Sequence, residues 1–471
     1  MKTKPQNNLR VSNSHSCILL LIVFLRVLFP SCSPAATLYV SESTPGEYRF
    51  IQAGLDAAVT GDEVVVRDGK YSEGNLDFRG KAITLRSEHG PDYTILNGWG
   101  DQAFNFASGE GPGTVLSGFK IKTVSVVSGG INIYLTGIRC SCSSPTITNC
   151  IVAGDAWLTP RYGRGLDILH SSPTIIECEI GGNGADCGGG IYCEYSSPTI
   201  TNCKIHQNWA RLGGGIGLVY SSPTITGCAI YRNHADDPNN GRGGGIYCEY
   251  SSPSIRNCTI AKNAANANVA GGSAIRCVAA SSPRIINSIL WDNKDPASQL
   301  SCYAAPIYIT YSDIEGSYAG AGNIAQDPLF VAPAFGNFEL SEGSPAIDAG
   351  INMVDPPLPA TDLAGNPRIT NGRVDMGAYE YLSAPAEGPG PIEELLSCVN
   401  ALALPHAVAS SYLAHLRKVE AFISAENITP AINQLEAFIG KLQSDIEKGN
   451  LSAARGEPII EMAEALIGML E

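Results

Sequence analysis

The sequence predicts a mainly-β chain: a right-handed parallel β-helix, a solenoid of ~25-residue coils, followed by a small C-terminal α-helical bundle. Three observations carry this. Ser-Ser-Pro recurs from Ser143, Ser171, Ser196, Ser221, Ser251 and Ser281, at offsets of 28, 25, 25, 30 and 30 residues. Aligned on that serine, the units repeat residue types column by column. Beyond residue 391 the apolar spacing changes to three and four.

The first segment reads as an export signal. Lys2, Lys4 and Arg10 precede an apolar run of 13 residues from Cys17 to Phe29, broken only by Arg26. That run is too short to cross a membrane, and the small residues of Ser33-Pro34-Ala35-Ala36 follow it. Residues 1–35 are expected to be removed, with cleavage near Ala35 or Ala36. A lipoprotein signal modified at Cys32 is the alternative, poorly matched by Phe29-Pro30-Ser31. The expected address is secreted or cell-surface, with no transmembrane span in the mature chain. A net charge of −14 without a basic stripe argues against nucleic acid as a partner.

In the repeat, four positions after each first serine stand Ile147, Ile175, Ile200, Ile225, Ile255 and Ile285. Seven positions on stand Cys150, Cys178, Cys203, Cys228, Cys258 and Ser288. Nine on, the column is Val152, Ile180, Ile205, Ile230, Ile260 and Leu290. Twelve on, it is Asp155, Asn183, Asn208, Asn233, Asn263 and Asn293. Stacked about 4.8 Å apart, the branched and small columns fill a narrow interior. The Asn column ends a strand before a loop, where its amides bond from coil to coil and tolerate left-handed backbone. Gly188–Tyr195 and Gly243–Tyr250 (GGGIYCEY) add a short strand ahead of Ser-Ser-Pro, giving three strands per unit. Of 15 cysteines, five occupy one interior column, and Cys140, Cys193 and Cys248 form another. They read as reduced core side chains, since parallel register aims them the same way.

Three regions resemble the bacterial right-handed parallel β-helix repeat proteins of the pectin-lyase-like fold. One is FIQAGLDAAVTGDEVVVRDGKYSEG at Phe50–Gly74, with GKAITLRSEHGPDYTILNG after it; the resemblance implies a short capping helix and the first strands. The second is the SSPTITNC array. The third runs through YSDIEGSYAGAGNIAQDPLF, SPAIDAG, TDLAGNPR and VDMGAYEY to Tyr381, and is similar to the choice-of-anchor Q ending of exported β-helix proteins. The β-helix is therefore set at 36–381, with a linker at 382–391 and the bundle at 392–471. In the bundle, Leu395, Leu396, Val399 and Leu402 share a face, as do Leu416, Val419, Phe422 and Ile423. Two further runs, Ile432–Leu442 and Ile459–Leu470, make about four helices. AINQLEAFIGKLQSDIEKGNLS looks like a FIMAH-type helical domain, which implies attachment or contact with a protein.

Chemistry is sought on the strand before Ser-Ser-Pro. If Ile191 and Cys193 point inward, Tyr192 and Glu194 point outward. The equivalent outward column is Arg139, Asp167, Tyr192, Gly217, Tyr247 and Arg276, with Glu194 and Glu249 beside it. Tyr192, Tyr247 and Trp157 are candidates for stacking on sugars, and Arg139 and Arg276 for ligand contact. Glu194, Glu249 and Asp167 are the candidate catalytic carboxylates. Glu194 and Glu249 would stand two coils, about 9.6 Å, apart, at the upper edge of the inverting-glycosidase range. A soluble solenoid needs such residues on its outer face in any case. Asp236 and Asp237 are candidate calcium ligands that read more simply as a solvated turn; Asp348, Asp362 and Asp375 are expected to order loops in preference to binding calcium. No resident cofactor is expected, calcium being the one ion left open. The resemblance implies clustered acids with a basic partner for a lyase, or an Asp cluster with His and Lys for a polygalacturonase. Neither signature is present, although His206 and His234 lie on the array. The expected function is non-catalytic binding of a glycan or cell-surface partner. A polysaccharide lyase or glycoside hydrolase is the alternative, and a scaffold or adhesin the second.

Overall fold

A computed structural model describes residues 35–382, apart from 124–125, 129–130, 134, 155–162, 236–240, 266–270, 295–298, 303–305 and 355–356. Beyond these it describes 406–424, 427–451 and scattered positions between 392 and 467. Contacts divide the chain into two compact units, meeting between Tyr381 and Leu382.

The first unit is the right-handed β-helix. One parallel sheet of 11 strands runs from Thr37–Val40 to Tyr308–Thr310 and contains the strand after each Ser-Ser-Pro. A second, of 10 strands, runs from Gly69–Tyr71 to Asp313–Ile314; a third, of eight, from Gln102–Phe106 to Leu300–Cys302. Register stacks like on like. Ile147, Ile175, Ile200, Ile225, Ile255 and Ile285 form one interior row. Val152, Ile180, Ile205, Ile230, Ile260 and Leu290 form another. All are buried in one continuous core. A fourth sheet of four short strands departs from the expected three per coil: Gly184–Cys187, Trp209–Leu212, His234–Ala235 and Ala264–Ala265. After Asn183 and Asn208 the chain stays extended, over Gly184–Cys187 and Trp209–Leu212, up to the glycine turn.

Three polar ladders close the corners. Each Asn amide donates to the next coil's amide oxygen, as from Asn183 to Asn208 at 3.1 Å and from Asn208 to Asn233 at 3.0 Å. The backbone N–H of Asn183 donates to the same Asn208 oxygen. Thr123 closes the ladder at one end and Gln299 at the other. The left-handed residue is not this Asn but the one before it: Gly182, Gln207, Arg232, Lys262 or Asp292. The paired serines bond in opposite senses. The N–H of Ser171 donates forward to the Ser196 hydroxyl, and that of Ser197 backward to Ser172. The first-serine ladder ends on buried Glu110, which accepts from the Ser143 hydroxyl. In the cysteine column, Sγ accepts from the preceding coil's N–H, as Cys203 does from Cys178 and Cys228 from Cys203, while the thiol donates to the carbonyl two residues back. The described cysteines are free thiols. Cys277 and Cys302 extend the Cys248 column; an extra residue before Ser281 shifts Cys277 out of the sequence alignment.

The ends are capped by different means. Helix α1, Ile51–Ala57, lacks a side-chain cap of its own. Buried Glu73 supplies one across 22 residues, accepting the N–H groups of Ile51 and Gln52 at 2.7 and 3.1 Å. At the other end the tail lies on the second sheet. Phe338 packs edge-on against Tyr231 at 5.1 Å and joins Ala261, Ala378 and Tyr379 in a buried cluster. Within it, Arg368 pairs with Glu380 at 2.9 Å, both fully buried. Asp362 accepts the N–H groups of Ala364, Asn366 and Glu380, and Asp375 those of Asp348 and Tyr381. Asp362 and Asp375 thus hold the tail's loops.

The second unit contains α2, His406–Ser424, and α3, Ile428–Glu447. Their apolar faces meet through Tyr412, Leu416, Val419, Leu435, Phe438 and Leu442, joined by Leu395, Val399, Ile459, Ala463 and Leu466. The buried Tyr412 hydroxyl donates to Asp445 at 2.6 Å, and Lys441 pairs with the same carboxylate.

Candidate functional site

The expected outward column of the third sheet exists in register: Arg139, Asp167, Tyr192, Gly217, Tyr247 and Arg276 lie side by side. It is largely covered, contrary to expectation. Tyr247 and Arg276 are 5% exposed and Asp167 is 6% exposed. Among the described residues, Arg164 and Cys187 press on it. Cys187 Sγ lies 2.8 Å from where a Cβ on Gly217 would stand, and the Arg164 guanidinium lies 4.3 Å over the Tyr192 ring. Tyr192 and Tyr247 spend their hydroxyls on Glu194 and Glu249, at 3.3 and 3.2 Å. Glu194 and Glu249 flank Val219 in register, two coils apart. Arg164 holds Asp167 at 2.9 Å, and Arg139 lies 4.0 Å from it. Burial pushes the Cys187 thiol up to about 12, which leaves it unreactive at neutral pH. These residues form a packed, internally paired layer, with Tyr247 and Arg276 beneath its surface. Trp157, Asp236, Asp237 and Cys32 lie outside the described residues.

The exposed aromatics of this corner are Tyr195, Tyr220 and Tyr250, with His170. They stack at 4.7–5.1 Å with ring planes within 2°, each on a left-handed backbone. Within the stack neighbouring rings cover one another's faces, so apart from its two ends the column presents ring edges.

An open cleft lies on the second sheet instead. It encloses about 500 Å³ and is lined by Ile151, Ala153, Gly154, Glu179, Gly181, Gly182, His206, Gln207, Trp209 and Arg232. Its origin is a gap in the stacked columns. Coil by coil, Ala153, Gly181, His206 and Tyr231 occupy one outward position. Gly181 leaves the floor low: a Cβ there would stand 2.7 Å from the His206 ring. Gly154 and Gly182 lower it further, since a Cβ on either would meet the other's carbonyl oxygen. Trp209 stands opposite Gly184 in the fourth sheet, braced edge-on by His234 at 4.6 Å. His206 is fixed on three sides. Its Nε2 faces Glu179 Oε1 at 3.2 Å, its Nδ1 faces Gln207 Oε1 at 3.2 Å, and Tyr231 stacks on its ring at 4.9 Å. The histidine holds the Glu179 carboxyl below its ordinary range, so Glu179 is an anion at neutral pH. Lys204 and Lys120 share Glu179's outward column, and Lys122 adjoins Ala153. Among the described residues Glu179 is the one carboxylate lining the cleft, and Arg232 the one cation.

The cleft was missed because the sequence reading followed the columns that repeat. Its signal lies ten, eleven and thirteen positions after the first serine, where residue type changes: Gly181, Gly182 and Gly184, then His206, Gln207 and Trp209, then Tyr231, Arg232 and His234.

The family described as right handed beta helix region matches residues 128–316, less than half of the chain. No curated protein matches it. Among solved structures, a crystal structure of pectate lyase Pel9A is similar at 13% identity and a TM-score of 0.46, covering 74% of this chain and 97% of that one.

Proposed function

We propose that the protein is an exported β-helix that binds an anionic glycan in the cleft on its second sheet. The observation that carries this reading is the combination, among the described residues, of the Trp209 indole with a cationic margin of Lys120, Lys122, Lys204 and Arg232 around the Glu179 carboxylate. An indole offers a flat apolar face to a sugar ring, and fixed cations offer charge-assisted hydrogen bonds to carboxylate or sulfate groups. Hydrolysis by a carboxylate pair finds no support among the described lining residues, because Glu179 has no second acid across the cleft. Glu194 and Glu249 are each paired with their own tyrosine on another sheet.

A second reading rests on the His206–Glu179 pair at 3.2 Å. An imidazole oriented by a carboxylate is a general base, and beside cations it suits removal of a proton adjacent to a sugar carboxylate. One experiment separates the two. The purified mature protein is incubated with polygalacturonate, alginate, heparin, xylan and cellulose, with and without calcium, and retention and chain length are measured. Retention of an anionic polymer at unchanged chain length is the expected result. Shortening that leaves an unsaturated sugar at the new chain end and disappears in His206→Ala establishes the lyase. Retention of xylan or cellulose in preference to the acidic polymers contradicts the charge argument.

A further inference from the structure

The outward face of the second sheet changes from open to covered partway along the helix, and this bears on how a polymer sits in the cleft. From the N-terminal side its outward pairs are Ile95 and Asn97, Lys120 and Lys122, Ile151 and Ala153, Glu179 and Gly181, then Lys204 and His206. All ten are exposed or half-buried. One coil later Ala229 is buried, and in the next both Thr259 and Ala261 are buried. The tail causes the change. The Arg232 guanidinium donates to the Ala334 carbonyl, Gly336 lies against the Tyr231 ring, and Phe338 packs on Tyr231 and Ala261. Beyond it, the Ala378 N–H donates to the Thr259 hydroxyl oxygen at 3.1 Å, and Met376 joins Ile289 in a buried cluster. The open run is therefore a trough roughly 19 Å long, four strand spacings of about 4.8 Å, with a wall at its His206 end.

We infer that this wall makes the cleft a dead end that receives the terminus of an anionic glycan chain, not its middle. The inference rests on the glycan-binding reading above and adds the mode of binding. A polymer lying along the sheet meets Tyr231, Arg232 and the tail one coil after His206. The cationic side chains Lys204 and Arg232 stand against that wall, where a terminal acidic sugar would stop. In the other direction the outward residues stay exposed or half-buried as far as Asn97, so the remainder of the chain leaves over Lys120 and Lys122.

The test is binding stoichiometry per polymer chain. Length-fractionated polygalacturonate, alginate and heparin are each titrated with the full mature protein and followed by light scattering and sedimentation. End recognition predicts one protein per chain at every length, with a dissociation constant that is constant when expressed per mole of chains. A number bound that rises in proportion to length overturns the inference and leaves the glycan reading standing. Failure of all three polymers to bind overturns the glycan reading itself, and the inference with it.

Discussion

At the scale of single residues, two side chains have consequences that can be measured. Asp313 is fully buried beside the tail, its Oδ2 has no hydrogen-bond partner, and burial raises its carboxyl to about 7. An acid whose folded pKa is raised favours the protonated protein. Its stabilising effect is complete below the unfolded value of about 3.9 and is lost as pH rises through about 7. Asp313→Asn should therefore be more stable than the parent at pH 8, by a few kcal/mol at most, and nearly equal to it at pH 4. Urea titrations at the two pH values check this; an equal difference at both would contradict it. Glu73 acts in the opposite sense, because Glu73→Ala strips the cap from α1 and should cost about 1–2 kcal/mol. Neither role is visible in the sequence. Asp313 sits in the YSDIEGSY stretch, which belongs to no column of the repeat, and Glu73 acts across 22 residues that show no periodic relation.

At the scale of elements, the corners specify the coil. Asn208 accepts from the backbone and the amide of Asn183 and donates to the Ile180 carbonyl at 2.9 Å, all buried. Asn208→Ala leaves several groups without partners and should destabilise the β-helix by about 2–4 kcal/mol. The serine pair allows an internal comparison. Ser221→Ala removes a buried acceptor and should cost about 1–2 kcal/mol, whereas Ser222→Ala, on an exposed ladder, should cost under about 0.5 kcal/mol. Thermal unfolding of the two variants decides it, and equal losses would mean that the ladders are not distinct. The Asn ladder was legible because identical amides at a fixed offset have one economical use, pairing between coils. The opposite sense of the two serine ladders was not, since either sense gives the same sequence. The fourth sheet was hidden for a related reason: Gly184, Trp209, His234 and Ala264 share a backbone path but no side-chain type.

At the scale of the whole molecule, a chain of net charge −14 gathers cations around one trough. Such a field complements a polyanion locally while the rest of the surface repels it, so binding should weaken as salt rises. The β-helix itself was written in the repeats, because a solenoid must satisfy the same packing at every coil. The candidate site was not, and the reason is the same physics. Tyr192 and Tyr247 belong to a regular column, and regular columns stack and pair among themselves. The cleft arises where Gly181 and Gly182 interrupt the stack and His206 and Trp209 stand beside the gap. Sequence alternation placed the third-sheet column outward, but it carried no information about Arg164 and Cys187, which pack on it.

The most direct test compares the two faces. The dissociation constant for the acidic polymer retained most strongly is measured by calorimetry for the parent, for Trp209→Ala combined with His206→Ala, and for Tyr192→Phe combined with Glu194→Gln. The account predicts that the first pair weakens binding roughly tenfold or more, about 1.4 kcal/mol, and that the second changes it less than about twofold. Loss of binding through Tyr192 and Glu194, with Trp209 and His206 dispensable, would contradict it and return the site to the third sheet.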